Sequence, residues 1–196
     1  TVRAKGSCAG AAAPAPCGIR VMKEPSLQTL LQRHSGHRKI PLLDRERWEK
    51  AMATNGRMTI KEVDGHWQLK VDFRKTPGGQ TRWALPRIQL PKSLDLSGAE
   101  GIVVRGRCMR PAKVVRLLFW ERPGTNYHTT SSVFAPDGKW HAAFIPLDSL
   151  SASGNHPDQR NNQFDPGQVD TISVGLVSKA QRNTLTISDL YVVGTR

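Results

Sequence analysis

The stretch GHWQLKVDF (65–73) indicates the fold class of this chain, because its apolar and polar residues alternate without a break. The apolar side of the alternation consists of Trp67, Leu69, Val71 and Phe73. The polar side consists of His66, Gln68, Lys70 and Asp72. A period of two predicts a β-strand with one face in a core and the other toward water.

Seven further short phrases of strand character follow along the chain. They are WALPRIQL (83–90), GIVVRGRCM (101–109), KVVRLLFWE (113–121), YHTTSSVFA (127–135), KWHAAFIPL (139–147), VDTISVGLV (169–177) and LTISDLYVV (185–193). Turn-forming Gly, Pro, Asn or Asp separates most of them, and helical periodicity is almost absent. Many strands at short spacing without intervening helices predict an all-β protein, an antiparallel β-sandwich of the jelly-roll type.

The N-terminal part of the chain has a different composition. Residues 1–39 are predicted to be a poorly structured extension, a linker or the remnant of a preceding domain, because CAGAAAPAPCG (8–18) is small, Pro-interrupted and aperiodic. SLQTLLQRH (26–34) has the pattern of two helical turns. The jelly roll is expected to occupy residues 40–196, with an edge strand at Ile40–Leu43 and a short helix, capped by Asp44, that carries Trp48. The first residue, Thr1, suggests a fragment of a longer protein.

Charge and cysteine content exclude little. The formal net charge is +13 with a pI near 10.3, yet the basic residues of 1–43 are scattered and accompanied by no aromatic residue. A single-stranded nucleic-acid partner is therefore not expected. The sequence contains no run of about 18 apolar residues, so no membrane-spanning helix is predicted. Cys8 and Cys17 flank a short loop that a disulfide would close, Cys108 lies in a strand, and no Cys-x-x-Cys pair indicates a zinc site.

The predicted outward residues form the candidate site. Alternation turns Val115, Leu117 and Phe119 inward and leaves an outward set unusually rich in arginine and aromatic residues. Indoles stack on the apolar face of sugar rings, and guanidinium groups suit carboxylate or sulfate. The candidate ligand-binding residues are Trp83, Arg87, Arg105, Arg116, Trp120, Tyr127, His128 and Phe144. The alternative is that the polar loop 148–168 covers this face and makes Trp120 part of the core.

Catalytic and metal chemistry have weaker support. Outward acids are few, whereas glycoside hydrolysis usually needs a pair of carboxylates. The chain contains no Gly-x-Ser-x-Gly elbow, His-Glu-x-x-His or phosphate loop, so the isolated chain is not expected to be an enzyme. Asp189 interrupts an apolar strand and is a candidate ligand for a structural Ca²⁺, with the exposed edge acid as the alternative.

The order of these phrases resembles the galactose-binding-domain-like jelly rolls. Within them it is most similar to non-catalytic carbohydrate-binding modules for β-glucans and to the complex I intermediate-associated protein domain. The resemblance covers about residues 40–196. Its anchors are Leu96-Ser97-Gly98, Arg105-Gly106-Arg107, Gly138-Lys139-Trp140 and Ile145-Pro146-Leu147.

The resemblance implies a non-catalytic, ancillary module that binds a polysaccharide on a concave sheet face, often with a structural calcium ion. It places Arg116, Trp120, Tyr127 and Phe144 at or near the cleft, and the arginine content points to an anionic glycan. It also implies an upstream catalytic domain in the same polypeptide and a secreted or periplasmic location. The alternatives are an interdomain β-sandwich that binds a protein partner, or a jelly-roll polysaccharide lyase or hydrolase.

Overall fold

Two antiparallel β-sheets pack face to face in the computed structural model, as the alternation predicts. The structure describes residues 25–49, 56–75, 80–110, 112, 114–122, 124–153 and 163–194. Cys8 and Cys17 lie outside this part of the chain.

The first sheet has the strand order β10-β7-β13-β4-β3, with β1 paired to β13. Its strands are β1 (His37–Lys39), β3 (Gly56–Val63), β4 (His66–Phe73), β7 (Gly101–Cys108), β10 (His141–Pro146) and β13 (Arg182–Val193). Every pairing in it is antiparallel.

The second sheet has the order β11-β9-β8-β12-β6-β2, with β5 paired to β12. Its strands are β2 (Trp48–Glu49), β5 (Arg82–Ala84), β6 (Arg87–Gln89), β8 (Val114–Glu121), β9 (Asn126–His128), β11 (Ser151–Ala152) and β12 (Val169–Ser178). Three 3₁₀ turns lead into its strands: Arg45–Arg47 precedes β2, Leu147–Ser149 lies between β10 and β11, and Pro166–Gln168 precedes β12.

The core lies between the sheets and contains the residues that alternation turned inward. Trp67, Leu69, Val71 and Phe73 are each at most 3% exposed. Trp67 of the first sheet stacks on Trp48 of the second at 4.8 Å between ring centroids. Two large rings in offset contact exclude much apolar surface from water and tie the layers together.

Some local predictions were wrong. GRMTIKEV (56–63) forms β3, which pairs with β4 along its whole length, although the sequence analysis assigned it no strand. The predicted strand 127–135 ends at His128. Trp48 lies in strand β2 after a 3₁₀ turn, so it is not carried by a helix. The edge pairing of the first sheet uses His37–Lys39 in place of Ile40–Leu43.

The helix α1 (Leu27–Gln32) packs against the outer face of the first sheet. Ser26 caps it by accepting a hydrogen bond from the Thr29 N–H at 3.1 Å. Leu30 is buried against Val103 and Val193. The packed part of the chain therefore begins before residue 40, where the sequence analysis put the domain boundary, because Leu30 has apolar partners on the sheet.

Candidate functional site

The outer face of the second sheet holds most of the predicted site residues. Arg116, Leu118 and Trp120 alternate with the core residues of β8 and point away from the core. Across the sheet, β12 pairs Thr171 with Trp120 and Gly175 with Arg116. The floor of the face along β12 thus consists of small side chains that leave room for the larger ones from β8.

Arg87 reaches this face from the other side of β12. Its register partner on β12 is Ser173, whose partner on β8 is Leu118. The guanidinium carbon of Arg87 lies 3.8 Å from the centroid of the Trp120 ring. A cation at this distance over an indole is attracted by the negative face of the ring, so the contact holds both side chains in place.

Arg116 lies further along the same face, since its partner on β12 is Gly175, two residues beyond Ser173, the partner of Arg87. Its Nη1 donates a hydrogen bond to the Thr129 carbonyl oxygen at 3.2 Å. His128 sits opposite Leu118 on β9. Burial, together with the positive charge of Arg116, lowers the pKa of His128, so the imidazole is neutral at pH 7.

Three nitrogen atoms of this face are buried without a hydrogen-bond partner among the described residues. They are Nε of Arg87, Nε of Arg116 and Nε1 of Trp120. A buried donor without a partner costs free energy, so such groups usually belong to a site that a ligand or water completes. Their coincidence on one face distinguishes it from an ordinary solvated sheet surface.

Trp83 lies on the same face but far from Trp120. It pairs with Val177, six residues along β12 from Thr171, which corresponds to about 20 Å at the rise of a β-strand. The backbone of Ala84 and Leu85 crosses between them: a Cβ at Gly175 would overlap the Ala84 carbonyl oxygen. Trp83 is 37% exposed, the most accessible tryptophan on this face.

A cleft adjoins the Trp120 end of the face. It has a volume of about 600 Å³ and includes Gln89, the register partner of Thr171. Charged side chains of both signs line it, namely Lys92, Asp95, Arg122 and Asp170. The cleft thus adds polar side chains beyond the Trp120 ring, and none of these was among the predicted site residues.

Three predicted residues do not share this face. Tyr127 points into the sandwich, is 2% exposed and contacts the Phe164 ring at 5.0 Å, because its neighbour on β8 is the core residue Phe119. Arg105 and Phe144 belong to the first sheet, on the opposite side of the molecule. The expectation of one shared face was wrong because alternation gives the side of a strand but not the sheet to which the strand belongs.

Phe144 is further removed from solvent by the helix. Its ring packs against His34 at 4.3 Å between centroids, and it belongs to the apolar cluster under α1. His34 in turn makes a 2.6 Å contact with the Glu100 carboxylate. The sequence analysis assigned His34 no role, and the structure gives it one in fastening α1 to the sheet.

The loop 148–168 does not make Trp120 a core residue through its described part. Phe164 packs on Phe119 and Tyr127, on the core side of β8 and β9. Glu121, at the end of β8, accepts a hydrogen bond from the Asp165 N–H at 2.6 Å. Residues 154–162 lie outside the described part, so coverage of the face by them is untested.

Asp189 lies beside a bulge in β13 and makes an ion pair with Lys39 at 3.3 Å. Within the described ranges, no group of three or more His, Cys, Asp or Glu side chains is arranged to hold a metal ion. Ca²⁺ also accepts backbone carbonyl oxygens as ligands, so the role of Asp189 as a calcium ligand stays a prediction.

Burial raises the pKa of the Cys108 thiol to about 12.

The described residues include no helix long and apolar enough to cross a bilayer.

Sequence reasoning overlooked the polar floor of the site. Thr171, Ser173, Gln89 and Asn126 neighbour Trp120, Arg87 or Leu118 through strand pairing alone. No local pattern marks them, because they come from three strands that are far apart in the chain. Only the pairing of β12 with β6 and β8, and of β8 with β9, brings them together.

Comparison with known proteins gives matches in structure only. Neither a known family model nor a curated protein matches the sequence. A family 11 carbohydrate-binding module from Clostridium thermocellum, solved in complex with a β-1,3-1,4-mixed-linked tetrasaccharide, is similar with a TM-score of 0.65 and 15% identity. The match covers 82% of this chain and 96% of that chain.

Two further structures extend this comparison. The family 11 module of a cellulosomal cellulase of Clostridium thermocellum gives a TM-score of 0.61 at 16% identity, over 82% of this chain and 95% of that one. An agarase gives a TM-score of 0.55 at 8% identity, over 82% of this chain but only 25% of the agarase. The chain therefore has the β-jelly-roll fold of carbohydrate-binding modules, as its resemblance to them predicted.

Proposed function

We propose that this domain is a non-catalytic glycan-binding module and that the outer face of its second sheet binds the polysaccharide. The observation that carries the proposal is the Trp120 indole, partly exposed on a sheet face and held by Arg87 at 3.8 Å. The chain shares its fold with a module solved in complex with a tetrasaccharide. Together they make a sugar chain the best-supported ligand.

The chemistry of binding follows from the two kinds of side chain. A sugar ring presents C–H groups that pack on the indole of Trp120, and its hydroxyl groups meet fixed donors around it. Arg87 and Arg116 supply these donors, because each guanidinium group carries several N–H bonds in a planar fork. Hydrogen bonds from the terminal N–H groups would orient the sugar chain on the face.

The arginines also indicate the charge of the ligand. Arg87 and Arg116 lie on the outward side of β6 and β8, and Glu49 on the edge strand β2 is the carboxylate opposite Arg87. A carboxylate or sulfate group accepts two parallel hydrogen bonds from a guanidinium group. We therefore propose that uronate-containing or sulfated glycans bind here more tightly than neutral ones.

The biological setting is part of the proposal. In agarases of similar structure this fold occupies about a quarter of the chain. By analogy, we propose that the domain accompanies a glycan-active catalytic domain in a secreted protein. Its own contribution would be to hold the polysaccharide near that catalytic domain.

Affinity gel electrophoresis against several polysaccharides tests the proposal. The panel contains mixed-linkage β-glucan, agarose, polygalacturonate and dextran. We expect retardation on at least one of them. We also expect Trp120→Ala to weaken binding at least about tenfold, since an aromatic anchor typically contributes about 2 kcal/mol.

Two variants serve as controls. Met109→Ala removes a side chain that is 48% exposed and outside this face, and it should bind as the wild type does. Trp83→Ala should weaken binding less than Trp120→Ala, because Ala84 and Leu85 separate Trp83 from the arginines. No retardation on any glycan, or equal binding by Trp120→Ala, contradicts the proposal, and release of reducing ends by the isolated chain contradicts its non-catalytic part.

A further inference from the structure

The outer face of the first sheet carries a second cluster of arginine and aromatic side chains, on the opposite side of the sandwich from Trp120. Trp140 directly precedes β10, where alternation with Ala142 and Phe144 turns it outward. The guanidinium carbons of Arg105 and Arg107 lie 4.8 and 5.0 Å from the centroid of its ring. His66 on β4 meets the same ring edge-on at 5.3 Å.

The position of Trp140 explains how two like charges are held together. Arg105 and Arg107 are alternate residues on β7, so their backbones are about 7 Å apart and their side chains leave the same face. Strands β7 and β13 lie between β10 and β4 in the sheet. The Trp140 indole contacts His66 on β4, so it extends over both of these strands. Stacking on one aromatic ring favours the two cations and offsets part of their repulsion.

Neither arginine has an acidic partner in the described part of the chain. Asp189 is the register partner of Arg105, but its carboxylate binds Lys39 at 3.3 Å. Arg105 instead donates a weak hydrogen bond to the Ser188 hydroxyl at 3.3 Å. Arg105, Arg107 and Trp140 are all partly exposed, so the two guanidinium groups present free donors to solvent.

The surrounding face is basic and polar. Strand pairing aligns Lys61, Gln68, Thr186 and Arg107 in one row across four strands. The next row contains Thr59 and Lys70. Hydroxyl and amide groups therefore alternate with cations beside the Trp140 cluster.

We propose that this face is a second binding surface, independent of the first, for an anionic polysaccharide. Arg105 and Arg107 would each take a sulfate or carboxylate group through paired N–H bonds, with Trp140 as the positioning residue. Single-stranded nucleic acid fits less well, because stacking of successive bases needs several free aromatic faces and this cluster is built around one indole.

Binding of dextran sulfate, polygalacturonate, neutral dextran and a single-stranded oligonucleotide, measured by titration calorimetry at low and moderate salt, tests the inference. We expect salt-sensitive binding of at least one of the two anionic polymers and none of dextran. Because the first face is also proposed to bind anionic glycans, the variants are compared in a Trp120→Ala background, where R105Q/R107Q should lose at least tenfold in affinity. The double variant R105K/R107K should recover little of it, since lysine retains the charge but not the planar fork.

The controls separate this face from the first. The double variant K75Q/K179Q removes the same charge from exposed positions outside the cluster and should retain the affinity. Trp120→Ala should retain binding at this face, whereas Trp140→Leu should weaken it. Melting temperatures of all variants confirm that they are folded.

Four results would overturn the inference. The first three are absence of binding to both anionic polymers, an equal loss in K75Q/K179Q, and tighter binding of an oligonucleotide than of either polymer. If Trp120→Ala alone abolishes anionic binding, the second surface is wrong and the proposed function stands. If R105Q/R107Q abolishes binding to every glycan and Trp120→Ala does not, the second surface stands and the proposed function of the Trp120 face is wrong.

Discussion

Arg87 and Trp120 stack on one another although strand β12 separates their strands. The guanidinium carbon lies 3.8 Å from the ring centroid, closer than any other cation in the described residues lies to an aromatic ring. The small residues Thr171 and Ser173 between them leave the space in which the contact forms. This pair defines the proposed glycan site.

Replacing Arg87 should impair glycan binding through Trp120. We expect Arg87→Lys to weaken affinity about fivefold to tenfold, because an ammonium group stacks less well on an indole and lacks the planar fork. Calorimetry measures the affinity, and tryptophan fluorescence reports the released ring. As a control, Lys92→Arg exchanges lysine for arginine at an exposed position of the adjoining cleft and should leave the Trp120 fluorescence unchanged. An unaltered affinity in Arg87→Lys would contradict the role of the Arg87–Trp120 pair.

Gly175 should not tolerate a side chain. A Cβ there would overlap the Ala84 carbonyl oxygen and press on Leu85, so Gly175→Ala is expected to reduce the free energy of unfolding by about 3 kcal/mol. Chemical denaturation measures the loss. Gly167→Ala is the matched control, since a Cβ at that position meets only side-chain atoms of Ser97 and Asp165 at 3.3 Å or more. Similar losses in both variants would argue against the close approach at Gly175.

Glu121 should make stability depend on pH in the weakly acidic range. Burial raises the pKa of Glu121, and the nearby negative charge of Asp165 raises it further. The hydrogen bond from the Asp165 N–H lowers the pKa, but the net shift is upward. The folded state therefore binds the proton more tightly than the unfolded state. This contribution to stability is present at low pH and is lost as pH rises from the unfolded pKa of about 4.3 through the raised folded value.

The variant Glu121→Gln isolates that contribution. It keeps an oxygen that accepts the Asp165 N–H but has no proton to lose. We expect the variant to gain stability relative to the wild type as pH rises from 4 to 7, measured as the difference in melting temperature. A difference that is constant over this range, or one that falls, would show that Glu121 does not titrate with a raised pKa.

The helix α1 should contribute to the stability of the jelly roll. Leu30→Ala removes a side chain that is 4% exposed and packed on Val103 and Val193, so we expect a loss of about 2 kcal/mol, the lower end of the range for such changes. Hydrogen exchange in α1 should accelerate as well. Gln28→Ala changes an exposed position of the same helix and should alter stability little. Wild-type stability in Leu30→Ala would show that α1 does not belong to the cooperative unit.

The alternation of side chains carried most of the fold prediction. The inward residues of β4, β7 and β8 are buried as expected, because a strand with one face in a core must alternate. The same rule failed for β3, whose pattern is interrupted by the exposed Glu62 opposite Trp67. As an edge strand it needs little apolar character to be held by β4.

The candidate site was only half predictable. Alternation correctly turned Arg87, Arg116 and Trp120 outward. It also turned Arg105 and Phe144 outward, but toward the other side of the molecule. A period of two contains no information about which sheet a strand joins, since that depends on pairings between residues far apart in the chain.

The sequence by itself determined the strand character, the inward side of most strands and the excess of arginine and aromatic residues outside the core. Tertiary structure decided how these residues are divided between two faces. The pairing of β12 with both β8 and β6 brought Arg87 to Trp120, and the position of Trp140 over β7 gathered Arg105 and Arg107. Local sequence governs backbone alternation, whereas register and sheet membership arise from burying all the apolar faces together.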